Sequence, residues 1–161
     1  MAKCFTIAAF VLCFASILIS AYATENLHVE GRVYCDPCRV EFQTKISEGI
    51  PDAKVKLVCT SRENGTETYS VEGTTDSSGT YRLTVVGDYE EDICEVRLMK
   101  SPRADCSEPF KSIDSARILL TKNVGVLDKL RYVNALGFMT KVARPECAEV
   151  LQEMGFLPIE A

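Results

Sequence analysis

The chain has 161 residues, of which 47% are hydrophobic, and its formal net charge is −5 at pH 7. This length suits a single domain. The acidic balance argues against nucleic acid as a partner, because a nucleic-acid-binding protein needs a basic face for the phosphates. It also gives no reason to expect an anionic membrane surface as the target.

Residues 1–23 predict a secretory signal peptide. Lys3 is the only charge, an apolar run from Cys4 to Ile19 follows, and Ala21-Tyr22-Ala23 supplies a small-x-small cleavage site. The 16-residue run is shorter than the ~20 residues that span a bilayer, which disfavours a membrane anchor. We expect a secreted domain of residues 24–161 with no membrane span. Cleavage removes Lys3 and no acid, which leaves 17 basic and 23 acidic side chains and a net charge of −6.

Six cysteines remain after cleavage, and an even number in a small secreted chain predicts a disulfide framework. Fifteen pairings are possible, and spacing does not choose among them. A thioredoxin-type reading of Cys35-Asp36-Pro37-Cys38 would need a helix N-terminus, but the pair follows a strand-like run. A zinc site would need a second Cys/His pair at short spacing, and only His28 and scattered cysteines are present. The pattern therefore favours structural disulfides over a redox or metal site.

From Leu27 to Ala104 the sequence is mostly of β type. Apolar and polar residues alternate with the period of two that a half-buried strand shows. Cys59 and Cys94 both fall on the apolar side of their alternating runs. A buried bridge between these two strands is therefore geometrically plausible.

Asn64-Gly65 is a strong signal for a two-residue hairpin turn. With Thr66 it also forms an N-glycosylation sequon. Because the sequon lies on an expected exposed turn of a secreted chain, we expect Asn64 to be glycosylated.

The C-terminal third is less regular. Residues 116–120 resemble a strand, whereas residues 126–138 suit one side of a helix or a loop with a short strand. Pro145 fits a first helical position and Gly155 a helix stop. Apolar residues at i, i+3, i+4 and i+7 lie between them: Cys147, Val150, Leu151 and Met154. The pattern predicts about seven short strands in a β-sandwich or barrel-like domain, with a short C-terminal helix.

Residues with catalytic potential form no recognisable constellation. His28 lies on the polar side of the first strand and is interpreted as a surface histidine. Asp36, Asp76 and Asp88 are interpreted as turn acids, and Glu90-Glu91-Asp92 as a solvated loop rather than a calcium site. We therefore expect no catalytic residue, no cofactor and no metal.

One stretch carries a family resemblance. Glu30-Gly31-Arg32-Val33-Tyr34-Cys35-Asp36-Pro37-Cys38-Arg39 resembles the signature of the Ole e 1-like family of plant secreted proteins. The similarity extends over all six cysteines and to three further segments, residues 50–53, 136–138 and 145–156. Position 37 departs from the family pattern, which more often has threonine there.

The resemblance implies three bridges, Cys35–Cys106, Cys38–Cys147 and Cys59–Cys94, in a β-rich extracellular protein of pollen or related tissue. It also implies a non-enzymatic glycoprotein and potential allergen that acts in pollen hydration or pollen tube growth. The implied partner is a receptor-kinase ectodomain or a cell-wall component. A structural role in the cell wall is the alternative. A carbohydrate-active enzyme is a third hypothesis, which would require two suitably placed carboxylates in a cleft.

Overall fold

A computed structural model of the chain describes residues 26–156. Within these residues ten strands form two sheets, and one short helix follows them. In chain order the elements are β1 (Leu27–Asp36), β2 (Glu48–Gly49), β3 (Lys54–Ser61), β4 (Glu67–Thr74), β5 (Thr80–Val85), β6 (Asp92–Lys100), β7 (Cys106–Pro109), β8 (Ser115–Ile118), β9 (Leu130–Tyr132), β10 (Leu136–Thr140) and α1 (Cys147–Glu153).

The first sheet is built around β1, whose two halves have different neighbours. Residues 27–32 pair antiparallel with β5, and residues 28–30 also pair parallel with β9. Residues 33–36 pair parallel with β10, and Tyr34 and Cys35 pair antiparallel with β2. Residues 33–36 are all buried, so the alternation that marks the first half of β1 ends at Val33.

The second sheet has the order β4-β3-β6-β8, and all of its pairings are antiparallel. In β3, Val55, Leu57 and Cys59 are fully buried, as the period-two pattern of this strand predicts. Cys59 lies directly opposite Cys94 in the register of β3 and β6. The two sheets enclose one main hydrophobic core.

Gly31 has a packing reason in this core. A Cβ atom at this position would collide with the ring of Tyr81 and with the side chain of Val133. The absence of a side chain therefore lets β1 lie against a tyrosine that is only 1% exposed. Burial raises the pKa of the Tyr81 hydroxyl well above its ordinary value.

The predicted class, a mainly β fold with a short C-terminal helix, is confirmed. The described residues contain ten strands rather than about seven, because β2 and β9 have only two and three residues and are too short to show alternation. Residues 126–138 form a loop, β9 and the start of β10, not a helix. The Asn64-Gly65 turn is not a two-residue loop. Five residues, 62–66, separate β3 from β4.

The C-terminal helix begins after its predicted start. Glu146 is the N-cap of α1, so Pro145 precedes the helix instead of occupying its first turn. The helix stops where predicted, since Gly155 follows the C-cap with a φ of 80°. Among residues 26–156, no helix combines the length and apolar character needed to cross a bilayer.

Candidate functional site

The segment of residues 35–41, here called the cysteine loop, joins the end of β1 to three distant parts of the chain. Cys35 is bridged to Cys106 at the start of β7, with a Cα–Cα distance of 5.9 Å. Cys38 is bridged to Cys147 at the start of α1, with a Cα–Cα distance of 5.3 Å. The paired cysteines thus act as two separate structural bridges rather than as a bridge to each other.

Asp36 holds the cysteine loop from inside. Its side chain is fully buried. Oδ1 accepts a hydrogen bond from the Cys38 N–H at 2.8 Å, and Oδ2 accepts from the N–H groups of Val40 at 2.7 Å and Glu41 at 2.8 Å. A buried carboxylate is tolerated only when such donors replace its hydration. Asp36 is therefore a turn acid, as the sequence indicates.

This loop contains two non-glycine residues with positive φ, Arg39 at 58° and Glu41 at 60°. The left-handed region is unfavourable for side chains of this kind, so the surrounding contacts must hold it. Asp36 supplies those contacts on one side. The Asp36 oxygens do not use an N–H at position 37, so a proline, which has none, is compatible with this turn.

Arg39 fixes the outer side of the loop to the first sheet. Its guanidinium forms a two-pronged pair with Glu108 of β7, with distances of 2.7 Å from Nη1 to Oε2 and 2.8 Å from Nη2 to Oε1. Nη1 also donates to the carbonyl oxygen of Thr140 in β10. The hydrogen bond from Arg39 lowers the pKa of the Glu108 carboxyl and keeps it ionised.

Glu41 connects the loop to the segment after β7. Its carboxylate accepts hydrogen bonds from the backbone N–H groups of Lys111 at 2.9 Å and Ser112 at 3.1 Å, and from the Ser112 hydroxyl. The Ser112 hydroxyl, followed by the Lys111 N–H, lowers the pKa of the Glu41 carboxyl. The Pro37 carbonyl accepts a hydrogen bond from the Arg144 N–H at 3.0 Å. Pro37, Arg39 and Glu41 thus each contact a different part of the chain.

An aromatic cluster underlies the cysteine loop. Tyr34 and Phe110 meet edge to face with ring centroids 5.9 Å apart, and Met139 completes the buried group. Burial, and secondarily the Asp36 charge, raises the pKa of the Tyr34 hydroxyl to about 12. The hydroxyl therefore stays neutral at physiological pH.

The third bridge lies in the other sheet. Cys59 and Cys94 are joined across β3 and β6 with a Cα–Cα distance of 4.0 Å. Both residues are buried in the main core. This bridge links β3 and β6, which backbone hydrogen bonds already pair. The two bridges of the cysteine loop instead link it to β7 and α1, neither of which pairs with β1.

The glycosylation sequon is on the exposed β3–β4 loop. Oδ1 of Asn64 accepts hydrogen bonds from the Thr66 N–H at 3.0 Å and from the Thr66 hydroxyl at 2.8 Å. Gly65 has a φ of 71°, which a glycine adopts without strain. The loop connects the paired strands β3 and β4 of the second sheet.

The remaining polar residues considered from the sequence are dispersed. His28 Nδ1 lies 3.3 Å from the Thr84 hydroxyl, Asp76 caps its own turn, and Asp88 accepts from the backbone N–H groups of Glu90 and Lys122. In residues 26–156, no three His, Cys, Asp or Glu side chains are arranged to hold a metal ion. The predicted signal peptide, residues 1–23, lies outside the described residues.

Sequence reasoning did not find the tertiary partners of Arg39 and Glu41. Their partners are 69 and about 70 residues away along the chain. Neither periodicity nor a local motif reports a contact at that separation. The only available signal was that both positions lie in or beside the cysteine-rich decapeptide.

A two-sheet β domain whose first strand ends in a doubly bridged loop defines a disulfide-braced class of β protein. Residues 25–155 match the family described as "Pollen protein Ole e 1 like". The chain belongs to this family.

Relatives of known name cover most of the chain. An Olee1-like protein of Betula pendula is 52% identical, over 98% of this chain and 97% of the relative. The anther-specific protein LAT52 of Solanum lycopersicum is 49% identical, over 84% of each chain. The crystal structure of the major plantain pollen allergen Pla l 1 has a TM-score of 0.71 and 39% identity, and covers 76% of this chain and 100% of its own. The family resemblance is thus confirmed, and it is one of plant pollen proteins that include allergens.

We predict that the Cys38–Cys147 bridge contributes more to stability than the Cys59–Cys94 bridge. The sequence separations are 109 and 35 residues, but the intact Cys35–Cys106 bridge makes the first effective loop similar in length to the second. Loop closure then contributes about 4 kcal/mol for each bridge, so the expected difference comes from the attachment of α1. The short α1 buries only Cys147 and Val150, so it should detach when its bridge is lost.

The comparison is between C38S/C147S and C59S/C94S, each unfolded in denaturant with the other two bridges intact. The free energy of unfolding should fall more for C38S/C147S. A larger loss for C59S/C94S would show that packing around the buried Cys59 outweighs the attachment of α1.

Proposed function

We propose that the protein is a secreted, non-enzymatic glycoprotein of pollen that acts by recognising a protein partner during pollen hydration or pollen tube growth. The observation that carries the proposal is membership of a family whose named relatives are pollen-specific proteins and pollen allergens. None of those relatives bears the name of an enzyme. Secretion follows from the expected removal of residues 1–23.

The roles of the acidic side chains around the cysteine loop support a recognition function. Asp36, Glu41 and Glu108 each hold backbone or guanidinium groups of the same domain. Their oxygens are engaged in maintaining loop geometry, which is a structural use of carboxylates rather than the paired acid and base of a glycosidase. A frame fixed in this way can present surface side chains to a partner without rearranging on binding.

The proposed partner is the ectodomain of a receptor kinase on the pollen tube or pistil surface. The test is binding of labelled, disulfide-intact, glycosylated protein to plasma membranes from these tissues. We expect saturable binding that unlabelled protein competes and that protease treatment of the membranes abolishes. Protein that has been reduced and alkylated is the control and should not bind, because the loops lose their geometry.

A structural role in the cell wall predicts a different result. A structural cell-wall component would remain in the wall fraction after extraction with concentrated salt and would show no saturable membrane binding. That result would contradict the recognition function.

Asn64 is proposed to carry an N-linked glycan. The mass of protein expressed in plant cells should fall on endoglycosidase treatment. Untreated N64Q should be lighter than the untreated wild type by about the mass of the glycan. Since Asn64 is exposed on a loop, N64Q should leave the unfolding midpoint nearly unchanged. An unchanged mass after endoglycosidase treatment would refute the assignment.

A further inference from the structure

Arg131 of β9 is a buried cation that has no carboxylate partner among residues 26–156. The residue is 9% exposed. Nη1 donates to the carbonyl oxygens of Asp128 and of Leu130, the latter at 3.3 Å, and Nη2 donates to that of Thr121 at 3.3 Å. Nε has no hydrogen-bond partner. Among residues 26–156, no carboxylate lies within ion-pair distance of this guanidinium.

A desolvated guanidinium normally pairs with a carboxylate or phosphate, because backbone carbonyls supply only partial negative charge. At Arg131 that counter-charge is absent from the described part of the chain. The uncompensated charge of the guanidinium therefore favours an anion close to this residue.

Arg131 lines a pocket of about 180 Å³ beneath the loop of residues 121–129. Lys122 and Lys129 also line it, and Asp128 is the only acid among the lining residues. Asp128 Oδ1 is already used by the Leu130 N–H at 2.9 Å. Even without Lys129, the two cations Arg131 and Lys122 outnumber the one acid, so the pocket carries local positive charge in a chain whose net charge is −5.

Two apolar side chains adjoin these cations. Leu127 is 100% exposed and Val126 is 50% exposed, and both line the pocket. An occupant that fits this surface has a carboxylate and an adjoining apolar group.

We propose that this pocket binds an acidic side chain of a protein partner, with a neighbouring apolar side chain of the partner against Val126 and Leu127. An acidic peptide segment supplies both features. The volume suits one side chain and is below the ~300–1,000 Å³ of small-molecule pockets. No aromatic ring is among the lining residues to stack on a sugar, so a peptide fits better than a wall uronate. This inference rests on the proposed function and identifies its recognition surface.

The first test uses two capped dipeptides, acetyl-Leu-Glu-methylamide and its Leu-Gln counterpart, titrated into the full protein and followed by backbone amide chemical shifts. Amides of residues 121–131 should shift saturably. The Glu peptide should bind at least tenfold more tightly than the Gln peptide, and added salt should weaken it. Equal affinities, or no shifts in residues 121–131, would overturn the proposal.

Arg131 is buried, so R131Q can fail by unfolding. K122A/L127S is therefore the main variant, since it removes one charge and one exposed side chain. The matched control is K141A/V142S, which removes the same kinds of group at an exposed site, where Val142 is 77% exposed. The first variant should lose at least tenfold in affinity for the Glu peptide, and the control should bind as the wild type does. Equal losses in both variants would contradict the assignment.

Acetate and galacturonate separate the possible sources of the carboxylate. Both should bind more weakly than the Glu peptide, because neither reaches the apolar residues. Galacturonate binding as tight as that of the peptide would overturn the proposal in favour of a wall saccharide.

Membrane binding distinguishes failure of this inference from failure of the proposed function. K122A/L127S should lose at least tenfold in saturable membrane binding. If it binds as the wild type does, the pocket is not the recognition surface and the proposed function stands. If the wild type shows no saturable binding, the proposed function fails whatever the dipeptides show.

Discussion

The arrangement of this domain depends on one buried carboxylate at the end of its first strand. The Asp36 carboxylate accepts hydrogen bonds from three backbone N–H groups and so sets the path of the chain between Cys35 and Glu41. That path directs Cys35 toward β7 and Cys38 toward α1. The disulfides therefore reinforce a geometry that hydrogen bonds to a charged group define locally.

The two sheets and the cysteine loop contribute differently to the molecule. The sheets bury a continuous core, and the Cys59–Cys94 bridge lies within their ladder. The cysteine loop instead attaches the short edge strand β7 and the marginal helix α1 to that core. With these elements fixed, loops such as residues 121–129 can carry exposed apolar and charged side chains, which the proposed recognition function requires.

Much of the fold could be predicted because half-buried antiparallel strands show alternation, as β3 and β6 do. The same argument placed Cys59 and Cys94 on the apolar faces of their strands. It failed for β2 and β9, which are too short for a period, and for the β3–β4 loop, where Gly65 has a positive φ within a five-residue loop. The candidate pocket was beyond sequence reasoning. Residues 126–138 fit a helix or a strand equally, so nothing indicated that Arg131 would be buried without a carboxylate.

The most direct test of the role of Asp36 compares D36N with D76N, an exposed turn acid that caps its own loop. Asparagine at position 36 places an NH₂ against backbone N–H groups, and each lost hydrogen bond to a charged group costs roughly 1.5–3 kcal/mol. With all three disulfides intact, D36N should lower the free energy of unfolding by about 3 kcal/mol or more and accelerate hydrogen exchange at the amides of Val40 and Glu41. D76N should cause a smaller loss and leave those amides protected. Equal stability of D36N and wild type, with unchanged exchange at Val40 and Glu41, would show that the disulfides alone define the loop.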